Sequence, residues 1–198
     1  VAGKEAHFIL EQAVSAYRDA LRVWSRKKFP QSWAIVKVNL GNVYQEMALR
    51  HGGSNAENLL KKSLYEYKKA REVFLSGSDK WSAATSNMAN VLVSLSEFEV
   101  GSKRVEILDL AEGEYRMAIN SIDRRTNPEV WANSMTNLGT LFLEKSFLSD
   151  VDALGSLRQA IKNYESVLLV YTDESKPQFW VSVNNNIGNA FKRIAIIG

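Results

Sequence analysis

The sequence contains no cysteine, only three prolines and only two histidines among its 198 residues. Without cysteine, the chain forms no disulfide and offers no thiolate to a metal ion or to catalysis. His7 and His51 are the only histidines. The carboxylates are scattered, and no glycine loop of the phosphate-binding type is present. We therefore expect neither an enzyme nor a protein that needs a metal ion or another cofactor.

Long apolar runs and an excess of charge of one sign are also missing. The chain carries 25 basic and 22 acidic residues, for a net charge of +3, a balance that argues against nucleic-acid or membrane binding. No stretch approaches the roughly 18 consecutive apolar residues of a transmembrane helix. The start, VAGKEAHFILEQA, lacks a secretory signal and an initiator Met. We therefore expect a cytoplasmic protein and a processed or trimmed chain.

What the sequence does have is a repeat. The same phrase recurs four times, as WAIVKVNLGNVY, WSAATSNMANVL, WANSMTNLGTLF and WVSVNNNIGNAF. The four phrases begin, at spacings of 48, 50 and 49 residues, at Trp33, Trp81, Trp131 and Trp180. A period near 49 carried through the chain predicts a single repeat domain over residues 1–198. Repeat arrays present a long surface rather than a catalytic cleft.

A second phrase lies between the tryptophan phrases. Its tyrosines are spaced by 50, 48 and 49 residues and are Tyr17, Tyr67, Tyr115 and Tyr164. Each has a small residue four positions before it, and all but the last have an alanine three positions after it. Steps of four and three place these residues on one stripe of a helix. The small residues let a neighbouring helix approach closely, and the tyrosine fills the remaining volume.

The periodicity predicts an all-α fold of about eight helices, in which tryptophan and tyrosine helices alternate. Short connections make sequential neighbours antiparallel. The predicted helices span roughly 4–25, 30–50, 55–75, 79–99, 103–124, 128–147, 151–171 and 177–196.

Proline and hydroxyl residues mark the predicted helix starts. Pro30, Pro128 and Pro177 each stand three residues before a tryptophan, where a first-turn proline loses no hydrogen bond. The segments 54–57 and 126–129 read SNAE and TNPE, which fit capping boxes. These signals predict where four of the helices begin or are capped.

Other boundaries are indicated by serine, aspartate and glycine. Ser78 or Asp79 is expected to cap the second tryptophan helix. Gly52, Gly53 and Gly101 are expected to end tryptophan helices, because glycine is the preferred residue just past a helix C-terminus.

The two phrases resemble the tetratricopeptide repeat, a helix–turn–helix unit. The first-helix signature of that family is Leu-Gly followed by an aromatic residue. Three copies match and one is degenerate: Leu40-Gly41 with Tyr44, Leu138-Gly139 with Phe142, Ile187-Gly188 with Phe191, and Met88-Ala89 with Leu92. The tyrosine stripe is similar to the second-helix signature. The resemblance covers essentially the whole chain and implies a right-handed α-solenoid of antiparallel helix pairs.

The period exceeds the family's usual length of about 34 residues. The extra residues lengthen each helix by roughly two turns. The chain looks most like long-period bacterial arrays, which occur as sensor or adaptor segments of larger signalling proteins. One function implied by this likeness is a structural or regulatory segment that packs against another domain of its parent protein.

The resemblance also places the tryptophan helices on an inner, concave face where ligands bind. Two polar rows run along that face. The first row is Asn39, Asn87, Asn137 and Asn186, and the second row is Asn42, Asn90, Thr140 and Asn189. Residues three apart share one face of a helix, and an asparagine amide can pair with a peptide N–H and C=O together. We expect these rows either to hold a peptide or partner segment or to bond adjacent repeats to one another.

The rest of the expected inner face is small and polar and varies between repeats. It includes Gln45, Val93 and Ser94, and at its last unit Lys192 and Arg193. The two cations are expected either to make that end of the groove favourable to anions or to be a solvated helix end. A phosphate channel would need a basic lining, so we expect a protein or peptide partner and no nucleic acid.

The array begins with a tyrosine helix that lacks a tryptophan partner and ends with a tryptophan helix that lacks a tyrosine partner. Repeat arrays need polar caps at their ends, and the tail residues Ile194, Ile196 and Ile197 are apolar. We therefore expect either a longer parent protein or self-association through these terminal helices.

Overall fold

The computed structural model describes residues 2–148 and 151–197, and these ranges contain helices and no strand. The helices are α1 (Ala2–Val23), α2 (Pro30–Arg50), α3 (Gly53–Arg71), α4 (Asp79–Ser96), α5 (Gly101–Asn120), α6 (Pro128–Lys145), α7 (Ala153–Leu168) and α8 (Pro177–Ile197). The predicted all-α class with eight helices is confirmed. We call α2, α4, α6 and α8 the Trp helices and α1, α3, α5 and α7 the Tyr helices.

The helix starts agree with the proline signals but not with the capping boxes. α2, α6 and α8 begin at the three prolines. The hydroxyl of Ser78 caps α4 by accepting a hydrogen bond from the Trp81 N–H at 3.3 Å. The two capping boxes are wrong: α3 starts after Gly52 and α6 after Asn127, in both cases without a side-chain cap. The observed N-cap residues are Gly52, two residues before Ser54, and Asn127, one residue after Thr126.

Several predicted helix ends are too late. α3 ends at Arg71, although Phe74 beyond it is buried. Ile122 and Tyr171 follow the ends of α5 and α7 in the same way and are also buried. The apolar stripe therefore continues past the last hydrogen-bonded turn. The spacing of apolar residues in the sequence indicates which residues are buried, not where the helix ends.

The glycines serve the following helix rather than the preceding one. Gly53 and Gly101 both have φ of +58°, and each is the first residue of a Tyr helix. This backbone conformation is readily adopted only by glycine. The prediction that these glycines end Trp helices is therefore wrong, since α4 ends at Ser96 and α2 at Arg50.

Each helix packs against its neighbours in the chain, and the Trp helices also contact one another, α4 with α6 and α6 with α8. The three interior tyrosines are buried between helices, and Tyr67 and Tyr164 are fully so. A Cβ atom placed on Gly41 would lie 2.6 Å from the Tyr67 ring, and one on Gly139 would lie 2.6 Å from the Tyr164 ring. Because these glycines have no side chain, each tyrosine ring rests directly on the backbone of the preceding Trp helix.

Candidate functional site

The second polar row lies beside the tyrosines of the Tyr helices. The Tyr67 hydroxyl donates to Asn42 Oδ1 at 2.6 Å, and the Tyr115 hydroxyl donates to Asn90 Oδ1. The hydroxyls of Thr140 and Tyr164 lie 3.1 Å apart. Three of the four second-row side chains therefore bond the tyrosine of the helix that follows.

Burial raises the pKa of these three tyrosines, so that their hydroxyls stay protonated and can donate over a wider pH range. Burial raises the pKa of Tyr67 to about 12, against a smaller lowering from the Ser63 hydroxyl. The pKa of Tyr115 is raised by burial and further by the Glu144 carboxylate. Burial also raises the pKa of Tyr164. At neutral pH each hydroxyl is a neutral group that satisfies a polar atom of a Trp helix.

The first row is bonded at one point. Asn137 Nδ2 donates to Asn90 Oδ1 at 3.0 Å and so joins α6 to α4. The amides of Asn39, Asn87 and Asn186 are half-buried, and they make no side-chain hydrogen bond within residues 2–148 and 151–197. One amide of the first row thus links two repeats, while the other three amides remain able to form hydrogen bonds.

A cleft of about 190 Å³ lies where the two rows meet. Its walls come from α2, α4, α5 and α6 and are Gln45, Asn90, Val93, Ser94, Tyr115, Asn137, Thr140 and Leu141. The structure therefore brings Asn90, Asn137 and Thr140 together with three residues expected to vary between repeats. The other predicted site residues, Asn39, Asn42, Asn87, Asn186 and Asn189, do not line this cleft.

The cleft is uncharged, and its lining combines polar groups with the apolar side chains of Val93 and Leu141. Its lining contains amides and hydroxyls but no acidic or basic side chain. The nearby Glu144 carboxylate is paired with Arg104, whose Nη2 lies 2.7 Å from Oε1. Neutral donors and acceptors suit peptide groups, which offer an N–H and a C=O. They do not suit phosphates, which are bound by cationic side chains or by clustered backbone N–H groups.

The two predicted cations at the last repeat lie outside the cleft. Lys192 is exposed. The Arg193 guanidinium lies 4.3 Å from the centre of the Phe147 ring, a cation–π geometry. One of the two cations is therefore engaged with an aromatic ring at the end of α6.

Sequence reasoning missed three features. The tyrosine–polar pairs recur at separations of 25, 25 and 24 residues, and this spacing could have revealed them. A larger pocket of about 360 Å³ lies between the start of α6 and the α7–α8 connection, where Tyr171 meets Phe179 edge to face. His7 Nδ1 and His51 Nε2 lie 3.1 Å apart, a pairing that the spacing of residues in the sequence does not predict.

Neither a metal-binding cluster nor a membrane-spanning helix is found in the part of the chain that the structure describes. Within residues 2–148 and 151–197, no group of three or more His, Cys, Asp or Glu side chains is arranged to hold a metal ion. None of the helices described is both long and apolar enough to cross a bilayer.

The cleft and the tyrosine contacts thus both arise from residues at equivalent positions of the repeat. A scan against protein-family models finds no match to this chain, and neither does a search of curated proteins.

Proposed function

We propose that this chain is a non-enzymatic protein-interaction module. In this proposal its helix pairs form a solenoid of the tetratricopeptide type, and a peptide or partner segment binds along the two polar rows of the Trp helices. The observation that carries the proposal is the uncharged cleft, which gathers polar side chains from successive Trp helices. A surface built by several repeats favours an extended ligand over a compact one.

The hydrogen bonds suggest how the ligand is held. Asn90 Oδ1 already accepts from Tyr115 and Asn137, so the amide N–H groups of Asn90 are the donors it can offer to a ligand carbonyl. Ser94 and Thr140 add hydroxyls at the same cleft. Asn87 and Asn39 extend the polar row along α4 and α2. A ligand backbone would pair with these groups largely independently of its side chains.

A structural function for the two rows is the second candidate, and the bond between Asn137 and Asn90 favours it. In that case the asparagines hold repeats together, and the surface packs against another domain of a larger protein. The two candidates differ in what an alanine substitution removes: affinity for a ligand in the first, and folding stability in the second.

The test uses a displayed library of random peptides selected on the wild-type protein. Affinities of selected peptides are then measured by fluorescence polarisation for Ser94→Ala/Asn137→Ala and for the control Asn55→Ala/Asn120→Ala, whose residues are exposed and outside the cleft. Losing two ligand hydrogen bonds should weaken binding by about tenfold or more. The control should bind like the wild type, with little dependence on salt because the cleft is uncharged.

Two results would contradict the proposal. Selection could yield no peptide while Ser94→Ala/Asn137→Ala melts several degrees below the control, which supports the structural candidate. Selected peptides could also bind both double variants equally, which places their site elsewhere.

A further inference from the structure

A groove lies between α1 and α3, and α2 forms its floor. Two adjoining cavities make up the groove, one of about 290 Å³ and one of about 660 Å³. Both cavities are lined by Arg18 of α1, Tyr44 of α2 and Lys62 of α3. Three successive helices of the chain therefore each contribute one of the residues that the two cavities share.

Two cations converge on Tyr44 in this groove. Arg18 Nη2 donates a hydrogen bond to the Tyr44 hydroxyl oxygen at 3.1 Å. Lys62 Nζ lies 5.9 Å from the centre of the Tyr44 ring. Because like charges held against one ring repel each other, an anion placed between them would be stabilised by both.

The carboxylates that line the groove do not neutralise these cations. Glu66 Oε2 lies 2.7 Å from Lys37 Nζ, and Glu11 Oε1 lies 3.3 Å from His7 Nε2. Within residues 2–148 and 151–197, neither of the two cations forms an ion pair with a carboxylate. The groove therefore presents positive charge that no described side chain balances.

Tyr44 carries a hydroxyl that the packing of its helix does not require. The residues eleven positions after the tryptophan in the four Trp helices are Tyr44, Leu92, Phe142 and Phe191, so an apolar side chain fills this position elsewhere. Tyr44 is only 6% exposed. Its oxygen accepts from Arg18, and its own proton has no acceptor in the part of the chain that the structure describes. A hydroxyl can donate and accept at once, so this donor is available to a ligand.

The combination of two free cations and a hydroxyl is confined to this groove. The residues at the equivalent repeat positions are Lys68, Leu92 and Leu110 around α4, and Arg116, Phe142 and Gln159 around α6. Each of these sets has one cation and no hydroxyl. Arg116 is also paired with Glu112, at 2.8 Å. The repeat therefore folds without this combination, which favours binding rather than packing as the reason for it.

We infer that the groove binds an acidic peptide segment, with a carboxylate of the peptide held between Arg18 and Lys62. The Tyr44 hydroxyl donates the third hydrogen bond to that carboxylate. Guanidinium and ammonium groups form charge-assisted hydrogen bonds with a carboxylate, and these are stronger than neutral ones.

The floor beside the two cations is apolar. The apolar residues that line the smaller cavity are Val14, Met47 and Leu59. An apolar side chain next to the acidic residue of the peptide would leave water there. The preferred segment therefore has an acidic residue adjacent to an apolar one.

A peptide fits this groove better than a nucleic acid does. A nucleic-acid backbone carries a charge on every phosphate and needs a continuous basic lining, whereas Glu11 and Glu66 interrupt the cations of the groove. A peptide can place one carboxylate between the cations and neutral groups beside Glu11. The groove shares no residue with the uncharged cleft, so the two sites are independent.

The experiment measures fluorescence polarisation of a fluorescein-labelled peptide that contains three copies of Glu-Leu-Glu-Gly. The reference peptide has glutamine in place of glutamate. The wild-type protein should bind the glutamate peptide at least about tenfold more tightly, because only a carboxylate pairs with both cations. The difference should shrink as the salt concentration rises.

A double variant and a matched control locate the site. Arg18→Gln/Lys62→Gln should weaken binding of the glutamate peptide about tenfold. The control Arg158→Gln/Lys162→Gln removes the same two charges from exposed positions on α7 and should bind nearly like the wild type.

Two further variants separate this groove from the cleft. Tyr44→Phe keeps the ring, as phenylalanine does in other Trp helices, and should weaken binding of the glutamate peptide about threefold by removing one donor. Ser94→Ala/Asn137→Ala changes only the cleft and should bind this peptide like the wild type.

Three results would overturn the inference. One is a wild type that binds the glutamate and glutamine peptides equally or binds neither. Another is an equal loss in Arg18→Gln/Lys62→Gln and in its control, since the peptide would then respond only to overall charge. The third is tighter binding of a labelled oligothymidylate than of the glutamate peptide, lost in Arg18→Gln/Lys62→Gln, which would assign the groove to phosphate.

Discussion

Two faces of the Trp helices follow different rules: the packing face, which comprises the residues 1, 8, 11 and 15 positions after each tryptophan, and the polar face, which comprises the two polar rows. On the packing face of α2 and α6, glycine meets a tyrosine ring at a distance that allows no side chain. On the polar face, equivalent asparagines differ in their contacts: Asn137 bonds α4, whereas Asn87 bonds no described residue. Packing and the tyrosine bonds of the second row therefore repeat, while the hydrogen bonding of the first row varies from repeat to repeat.

The physical reason is that the two faces differ in how much change of a side chain they tolerate. A close-packed interior transmits any added volume to its neighbours, so the small residue and the tyrosine must be kept in every repeat. A half-exposed amide can exchange a protein partner for water at little cost. The polar face is consequently where this chain can acquire binding specificity without losing its fold.

The largest effect should come from placing a side chain on the packing face. Gly139→Val would force a Cβ to within 2.6 Å of the buried Tyr164 ring and should destabilise the fold by about 3 kcal/mol. Gly188→Val makes the same change at the same repeat position, where nothing lies within 4 Å. Urea denaturation at low micromolar concentration should leave it near wild type. Equal losses of stability in both variants would show that the tyrosine ring over Gly139 is not the cause of the loss there.

Alkaline pH should weaken the same contacts through tyrosine ionisation. The folded pKa of Tyr67 is about 12 against an ordinary value of 10.0, so the protonated form is favoured by folding. This stabilisation is complete below pH 10 and is lost as the pH rises through 12, by about 2–3 kcal/mol. Denaturation at stepped pH should show a shallower loss for Tyr67→Phe than for the wild type. Parallel curves would contradict the buried state of this hydroxyl.

The contributions of the two polar rows to stability can be measured separately on one helix, α4. Asn90→Ala removes the acceptor of both the Tyr115 hydroxyl and the Asn137 amide and should cost about 2 kcal/mol, because a buried hydroxyl loses its partner. Asn87→Ala, one turn earlier, removes no such bond and should change the stability by less than about 0.5 kcal/mol. Thermal melts of the two variants provide the measurement. A loss at Asn87 as large as that at Asn90 would make the first row structural throughout.

The smallest effect concerns a single hydroxyl. Tyr115→Phe keeps the ring and removes only the donor to Asn90, so the loss should be about 1 kcal/mol. Tyr65→Phe on α3 makes the same chemical change at a side chain that is 55% exposed and should have no measurable effect. Chemical denaturation of the pair checks the difference, and a neutral Tyr115→Phe would mean that water replaces the bond.

The sequence shows the tyrosine stripe and the Leu-Gly pairs as repeats, but their spacing does not reveal that Tyr67 and Tyr164 rest on Gly41 and Gly139. Gly41, Gly139 and the interior tyrosines recur at fixed spacing because each depends on the residue opposite it. The eight helices and their proline starts follow from local chemistry in the same way. The helix ends do not, since Phe74 stays buried after α3 has ended and continues the apolar period.

The polar contacts could be predicted only in part. The rows themselves are visible as repeated asparagines, but whether Asn137 reaches Asn90 depends on how far α6 is displaced along α4. That offset is set by side-chain packing between helices, which no single-helix period encodes. The pairing of His7 with His51 could not be predicted from the sequence for the same reason.

The most direct test of the division between the two faces is an amide NMR titration. The protein, labelled with ¹⁵N, is titrated with a peptide selected on it. The account predicts shifts of the side-chain amides of Asn90 and Asn137 and of the backbone amides around Gln45, Ser94 and Thr140. Shifts confined to α1 and α8, with these signals unchanged, would contradict it.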